Sequence, residues 1–294
     1  MAAEKKEKKT TGTPRPRETA GSAGAVGSAG MAGGAGVSGG AGMAGSAGSA
    51  GDVGATGSAG SAGDVGAAGD AGVSGGVTAE TVPTPAGDAR ITWHHAPGAR
   101  ALLAASHGAG GGIEARDLRA LAETLPGHGV SVALVEQPWR VAGKKVAPAP
   151  STLDTGWRAV WPALERAGLP IVAGGRSAGA RVACRTAREL GAKAVLALSF
   201  PLHAPGKPER SRAAELLGAG VPTLIVQGGR DPFGRPEEFP ALPADMELVA
   251  VPYGDHGFGL PKSAELDESA ALALITGAVA DWLPRALGLP RARG

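Results

Sequence analysis

A short apolar run leads into a serine flanked by glycines in the stretch Ile171-Val172-Ala173-Gly174-Gly175-Arg176-Ser177-Ala178-Gly179-Ala180. Residues 175–179 have the form G-x-S-x-G, in which a buried strand ends and the chain turns sharply into a helix. A Cβ two positions before or after the serine would collide with the facing strand or helix, which explains both glycines. The chain is rich in glycine, alanine and serine, so the pentapeptide alone also fits an ordinary strand-to-helix turn.

Apolar runs alternate with helical stretches from about residue 82 onward. This alternation predicts an α/β fold with a mainly parallel central sheet and helices on both faces, without room for a large cap. Strands are expected before Ser177 and at residues 90–95 (near the sheet edge), 101–105, 130–135, 194–199, 221–226 and 246–251. Helices are expected at residues 117–125, around Trp157 with a kink or restart at Pro162, after Ser177 to about residue 190, and near the carboxyl terminus.

Residues 1–78 differ in composition from the remainder of the chain, residues 79–294. A glycine stands at every third position from 21 to 75, which is the period of a collagen triple helix. No proline lies between Arg17 and Pro83 to favour the polyproline conformation, so we expect a disordered, flexible tail. A trimerising collagen-like stalk is the alternative. We expect the folded domain to span residues 79–294.

The formal net charge of +2 is small for 294 residues and predicts no nucleic-acid partner. The single cysteine, Cys184, excludes an internal disulfide and a cysteine-rich metal site, and its helical position predicts a packing role. Residues 1–11 are charged and no leucine-rich segment follows them, so we expect neither a signal peptide nor a membrane span. These features predict a cytoplasmic protein without a metal or cofactor.

Three residues that could form a catalytic triad occur in the order Ser177, Asp231, His256, each just after a predicted strand. Open parallel sheets bind ligands at the carboxyl ends of their strands, and Ser-Asp-His is the chain order used with a G-x-S-x-G turn. Asp231 could instead brace the turn before Pro232. Asp255 is a second candidate acid, and His203 is a second candidate base or a residue at the pocket rim.

The loop His107-Gly108-Ala109-Gly110-Gly111-Gly112 follows the strand that precedes the first long predicted helix. Its backbone N–H groups, from Ala109 and Gly110, would form an oxyanion hole together with the N–H group of Ala178. A phosphate-binding loop is the alternative, although no Gly-Lys-Ser/Thr sequence ends it. The candidate substrate contacts around this site are His107, which also shapes the loop, and Trp139, Phe233 and Phe258.

Five motifs occur in the order found in one branch of the α/β-hydrolases: HGAGG at 107–111, GKK at 143–145, GRSAG at 175–179, QGGRDPFG at 227–234 and GDHGF at 254–258. The chain therefore resembles, over about residues 79–287, the hydrolase-like domains of the testis-expressed-protein and NSL-complex-subunit-three type. This resemblance implies a capless α/β-hydrolase fold with Ser177, Asp231 and His256 as the triad. The related dienelactone hydrolases carry a cysteine nucleophile, so Ser177 departs from their pattern.

The sequence thus predicts a serine hydrolase that acts on a small ester, thioester or related acyl compound. In this prediction Ser177 attacks, His256 transfers the proton and Asp231 orients the imidazole. A binding module that keeps the fold without catalysis is the alternative. The expected partner is a small acyl substrate, without a nucleic acid or a membrane, and the oligomeric state does not follow from the sequence.

Overall fold

The computed structural model describes residues 76–290 and contains an eight-stranded sheet with helices on both faces. The predicted α/β architecture with a mainly parallel sheet is confirmed, and no large cap interrupts the described residues. The flexible tail and its collagen-like alternative concern residues 1–75, which lie outside the described part of the chain.

The strands lie side by side in the order β1-β2-β4-β3-β5-β6-β7-β8. Strand β2 runs antiparallel to both of its neighbours, β1 and β4, and strands β3 to β8 are parallel to one another. Strands β3, β4, β6 and β7 are buried along their whole length, as expected for parallel strands covered on both faces. Their bounds are β1 Val77–Val82, β2 Ala89–His94, β3 Ala101–Ser106, β4 Val130–Glu136, β5 Ile171–Arg176, β6 Ala194–Leu198, β7 Thr223–Gly228 and β8 Met246–Val251.

Alternate residues of each strand point to opposite faces of the sheet, so the core consists of two hydrophobic clusters, one on each face. Helices cover both clusters. Leu103 packs in one cluster with residues of α1 and α6, and Leu102 packs in the other with residues of α3 and α4. The helices are α1 Arg116–Thr124, α2 Pro138–Val141, α3 Pro150–Glu165, α4 Ala178–Thr186, α5 Ala213–Leu217 and α6 Glu268–Leu287.

The strand order places β4 on one side of β3 and β5 on its other side. The loops that leave the carboxyl ends of β3 and β5 therefore diverge, and a crevice opens between them. The loops after β7 and β8 end at the same edge of the sheet, because these strands run parallel to β5. The fold thus brings four loops together beside the end of β5.

Two local expectations were wrong. Of the kink or restart expected at Pro162, the restart does not occur, because helix α3 continues to Glu165, with Trp157 and Trp161 buried on its inner face. Helix α4 ends at Thr186, and turns carry the chain on to Gly191, which has a positive φ of 67°. The edge strand β1, which has an exposed face, was not among the expected strands.

Helix α6 is, within residues 76–290, the one helix long and apolar enough to cross a membrane by length and composition. Its residues Ile275, Val279 and Trp282 are buried against the domain core. A core helix meets the same two criteria, so the finding is weak support for a membrane span.

We expect a chain that begins at Gly76 to unfold within about 2 °C of the full chain, because both hydrophobic clusters consist of residues beyond position 81. A chain that begins at Pro83 lacks β1, its pairing with β2 and the hydrogen bond from Trp93 to Glu80. Its melting temperature should fall by roughly 5–10 °C. Calorimetry on the three chains tests this, and an unchanged midpoint without β1 would contradict it.

Candidate active site

Ser177 lies in a sharp turn between β5 and α4, with the unusual backbone angles φ 54° and ψ −109°. A non-glycine residue with positive φ is strained, at a cost of about 1–3 kcal/mol. A Cβ at Gly175 would lie 2.6 Å from the carbonyl carbon of Gly179, and a Cβ at Gly179 would lie 2.5 Å from the Ser106 oxygen. Both glycines are therefore required by the contact of this turn with the end of β3.

The structure brings Ser177, His256 and Asp231 together. Nε2 of His256 is 2.8 Å from Oγ of Ser177, and Nδ1 is 2.8 Å from Oδ2 of Asp231. Because the carboxylate only accepts hydrogen bonds, the proton of the neutral imidazole is assigned to Nδ1, which leaves Nε2 to accept from the serine hydroxyl. This is the arrangement that a general base beside a nucleophile requires.

Asp231 is completely buried, and further donors hold its carboxylate in place. The side-chain amide of Gln227 donates to Oδ2 at 2.9 Å, and the backbone N–H of Phe233 donates to Oδ1 at 2.8 Å. The second contact is the turn brace that the sequence suggested as an alternative for Asp231. The geometry is compatible with both interpretations of Asp231, because one oxygen braces the turn while the other faces His256.

Asp255 does not contact the imidazole of its neighbour His256. Its Oδ1 accepts hydrogen bonds from the backbone N–H groups of Gly257 at 2.7 Å and Gly259 at 2.8 Å. The carboxylate of Asp255 thus stabilises the loop that carries His256, whereas the His256 ring itself contacts Asp231 and Ser177.

His107 fixes the direction of the loop after β3. The backbone N–H of Gln137 donates to its Nε2 at 3.1 Å, so the ring proton resides on Nδ1, which donates to the Gly108 carbonyl at 2.9 Å. The carbonyl and N–H of a trans peptide point in opposite directions, so this bond turns the Ala109 N–H away from His107. Ala109 and Ala178 line one narrow cleft that is too tight to admit a water molecule, and Gly110 is not among the residues that line it.

The predicted substrate contacts occupy different environments. Trp139 packs edge-on against His107 with the ring centroids 5.5 Å apart, and both rings line the narrow cleft. The ring of Phe233 is centred 4.3 Å from that of His256. Phe258 is 1% exposed and lies in the core cluster of α1 and α6, so its assignment to the substrate pocket was wrong. Its backbone, with φ 56°, folds back where its N–H donates to the Asp255 carbonyl.

His203 is buried in the segment after β6. Its Nδ1 is bonded to the Ala204 carbonyl at 2.9 Å, and its Nε2 is 3.4 Å from Oε1 of Glu238. It lines an open pocket together with Asp231 and Glu238, which fits a position at a rim. Within residues 76–290 the base that contacts Ser177 is His256.

Residues 99–284 match the family model described as "Alpha/beta hydrolase domain". The chain belongs to this alpha/beta hydrolase family. No curated protein matches the hydrolase by sequence.

Several solved structures resemble this alpha/beta hydrolase in fold. XC6422 from Xanthomonas campestris, an a/b serine hydrolase without lid, has 19% identity and a TM-score of 0.58 over 74% of this chain and 97% of its own. The dienelactone hydrolase from Anabaena variabilis has 18% identity and a TM-score of 0.56 over 71% and 97%. Est1E from Butyrivibrio proteoclasticus has 17% identity and a TM-score of 0.55 over 71% and 99%. At these identities the similarity establishes the fold alone.

Arg176 and Asp117 lie next to the candidate site of the hydrolase, and neither was predicted from the sequence. Nη2 of Arg176 donates to the His256 carbonyl at 2.8 Å, and its Nε lies 3.5 Å from Oδ2 of Asp117. Asp117 is completely buried, and burial raises its carboxyl pKa although the Arg176 charge opposes the shift. Arg176 therefore links α1 to the loop of the candidate base. The position of Arg176 directly before Ser177 in the G-x-S-x-G sequence could have indicated that Arg176 lies near the site.

No cluster of three or more potential metal ligands occurs among the described residues of the hydrolase. Cys184 is completely buried within α4, and burial raises the pKa of its thiol to about 12. The thiol stays protonated near neutral pH, which fits the packing role expected from its position.

His107 should make the stability of the hydrolase depend on pH. Burial lowers its imidazole pKa below 6.5, so the folded chain keeps the ring neutral while the unfolded chain becomes protonated as the pH falls through 6.5. The free energy of unfolding should therefore decrease below pH 6.5, by at most about 1.4 kcal/mol per pH unit from this group. In His107→Gln the decrease should be shallower, and denaturant titrations from pH 7.5 to pH 5 measure it. Equal pH slopes in the two proteins would contradict this role.

Proposed function

We propose that this chain is a serine hydrolase that cleaves a small ester, thioester or related acyl compound through an acyl-enzyme. The observation that carries the proposal is the position of His256, whose two ring nitrogens lie 2.8 Å from Ser177 and 2.8 Å from the buried Asp231. A solvent-exposed serine without such a base is a poor nucleophile.

In the proposed reaction, Oγ of Ser177 attacks the substrate carbonyl while Nε2 of His256 takes its proton. Asp231 stabilises the resulting imidazolium, and the N–H groups of Ala109 and Ala178 bind the oxyanion. The intermediate collapses with loss of the alkoxide or thiolate, which takes the proton from His256. Water then attacks the acyl-serine while Nε2 of His256 takes a proton from it. His256 passes this proton to Oγ as the C–O bond to Ser177 breaks, which releases the carboxylic acid and restores Ser177.

The side chains of Trp139, Leu153 and Val182 line a narrow cleft together with Ala109 and Ala178, where the proposed oxyanion would lie. This cleft is too tight to admit a water molecule, which favours a substrate with a small acyl group. We further propose that the chain belongs to the testis-expressed-protein and NSL-complex-subunit-three branch. In this proposal the protein acts in the cytoplasm on a soluble acyl substrate. Its folded domain begins close to β1.

The activity is tested with p-nitrophenyl esters from acetate to octanoate. We expect kcat/KM to be highest for the acetate-to-butanoate esters and at least about tenfold lower for octanoate, because the cleft beside the elbow has no space for a long acyl chain. Ser177→Ala should stay folded and lose hydrolysis. If the wild-type protein hydrolyses none of these esters, or Ser177→Ala is as active as wild type, the chain is better explained as a binding module.

The two neighbouring aspartates provide a matched test of the acid. Asp231→Asn should lower kcat by roughly three to four powers of ten, because an amide at this position favours the wrong tautomer of His256. Asp255→Asn should lower it by less than about tenfold, since its carboxylate contacts only loop amides. Steady-state kinetics with circular dichroism as the folding control measure both. A larger loss in folded Asp255→Asn would refute Asp231 as the acid.

A further inference from the structure

The guanidinium of Arg176 lies between the loop of the candidate base and the first turn of α1. Its Nη2 donates to the backbone carbonyl of His256 at 2.8 Å, and its Nε lies 3.5 Å from Oδ2 of Asp117. The side chain of Arg176 is 16% exposed and that of Asp117 is fully buried, so solvent screens this pair only weakly. Because Arg176 directly precedes Ser177, one residue connects the nucleophile, the base loop and α1.

Glycines on two loops leave space for Arg176. A Cβ at Gly257, the residue after His256, would lie 3.2 Å from Nη2 of Arg176. A Cβ at Gly108, in the loop that carries Ala109, would lie 3.7 Å from Nη1 and 3.5 Å from the carbonyl oxygen of Arg176. Arg176 therefore lies beside the loop of the proposed oxyanion hole as well as beside the loop of the base.

His256 is held at both of its ends. Asp231 contacts Nδ1 of the ring at 2.8 Å, whereas Arg176 binds the backbone carbonyl. The distance of 2.8 Å between Nε2 of the ring and Oγ of Ser177 depends on both contacts, because the ring cannot stay in place if its backbone shifts. A displacement of about 1 Å in a reacting group can lower a rate by about a hundredfold.

We propose that Arg176, held by Asp117, is a positioning residue that keeps His256 at hydrogen-bond distance from Ser177, so that its loss lowers turnover rather than substrate binding. This inference rests on the proposed hydrolase function. A guanidinium can reach Asp117 and the His256 carbonyl together, because Nε and Nη2 lie along one edge of a planar group. The ammonium group of a lysine is a compact point charge that cannot span both partners.

The test compares Arg176→Lys and Asp117→Asn with wild type on p-nitrophenyl butanoate. Arg176→Lys should lower kcat about 10- to 100-fold with KM within about threefold, because His256 transfers the proton in both acylation and deacylation. Asp117→Asn keeps the hydrogen bond from Arg176 to His256 but removes the paired charge, so its kcat should fall about 3- to 10-fold. The double variant should lose no more than Arg176→Lys alone, since Asp117 acts through Arg176.

Arg185 of α4 provides a matched control. Its side chain is 19% exposed, and its guanidinium also spans two carboxylates, Asp154 of α3 at 2.6 Å and Glu215 of α5 at 2.8 Å. Arg185→Lys disturbs a partly buried ion pair of similar exposure on the helix that follows Ser177. Its kcat should stay within about threefold of wild type, because neither partner lies on a loop of the candidate site.

The outcomes separate this inference from the proposed function. If wild type hydrolyses none of the p-nitrophenyl esters, the proposed function fails and this inference fails with it. If wild type is active and Arg176→Lys keeps its kcat or changes only KM, the positioning role alone is overturned. An equal loss of kcat in Arg185→Lys also overturns it. Should thermal melting show that Arg176→Lys is unfolded, the isosteric Asp117→Asn decides, and an unchanged kcat in that variant refutes the role.

Discussion

The turn that carries Ser177 is pressed against the end of β3, and the rest of the site depends on this contact. Neither Gly175 nor Gly179 has space for a Cβ, so the backbones of β3, β5 and α4 meet without side chains between them. This approach places the loop of His107 and Ala109 beside the first turn of α4. It also fixes Ser177 at a positive φ, which holds its hydroxyl at the edge of the sheet where the loops after β7 and β8 end.

Two completely buried carboxylates near this turn have different surroundings. Asp231 accepts hydrogen bonds from Gln227 and Phe233 in addition to His256. The carboxylate of Asp117 instead pairs with the guanidinium of Arg176, whose Nε lies 3.5 Å from Oδ2. The first is suited to stabilise a developing imidazolium, whereas the second acts through Arg176 on the backbone of His256. The loop of the candidate base is thus held from the side of α1 as well as from β7.

The sequence predicted the elements that have a strong local signal. Buried strands appear as apolar runs, and the glycines around Ser177 mark the turn, so the sheet and the grouping of Ser177, Asp231 and His256 followed from spacing and order. Side-chain direction in irregular loops carries no such signal, which is why Phe258 was placed in the pocket while its positive φ turns it to the core.

Labelling with a fluorophosphonate probe followed by peptide mass spectrometry tests most directly whether His256 activates Ser177. We expect one adduct per chain, located on Ser177, with labelling abolished in Ser177→Ala and slowed at least about a hundredfold in folded His256→Gln. Labelling on another residue, or equal labelling rates in wild type and His256→Gln, would contradict it.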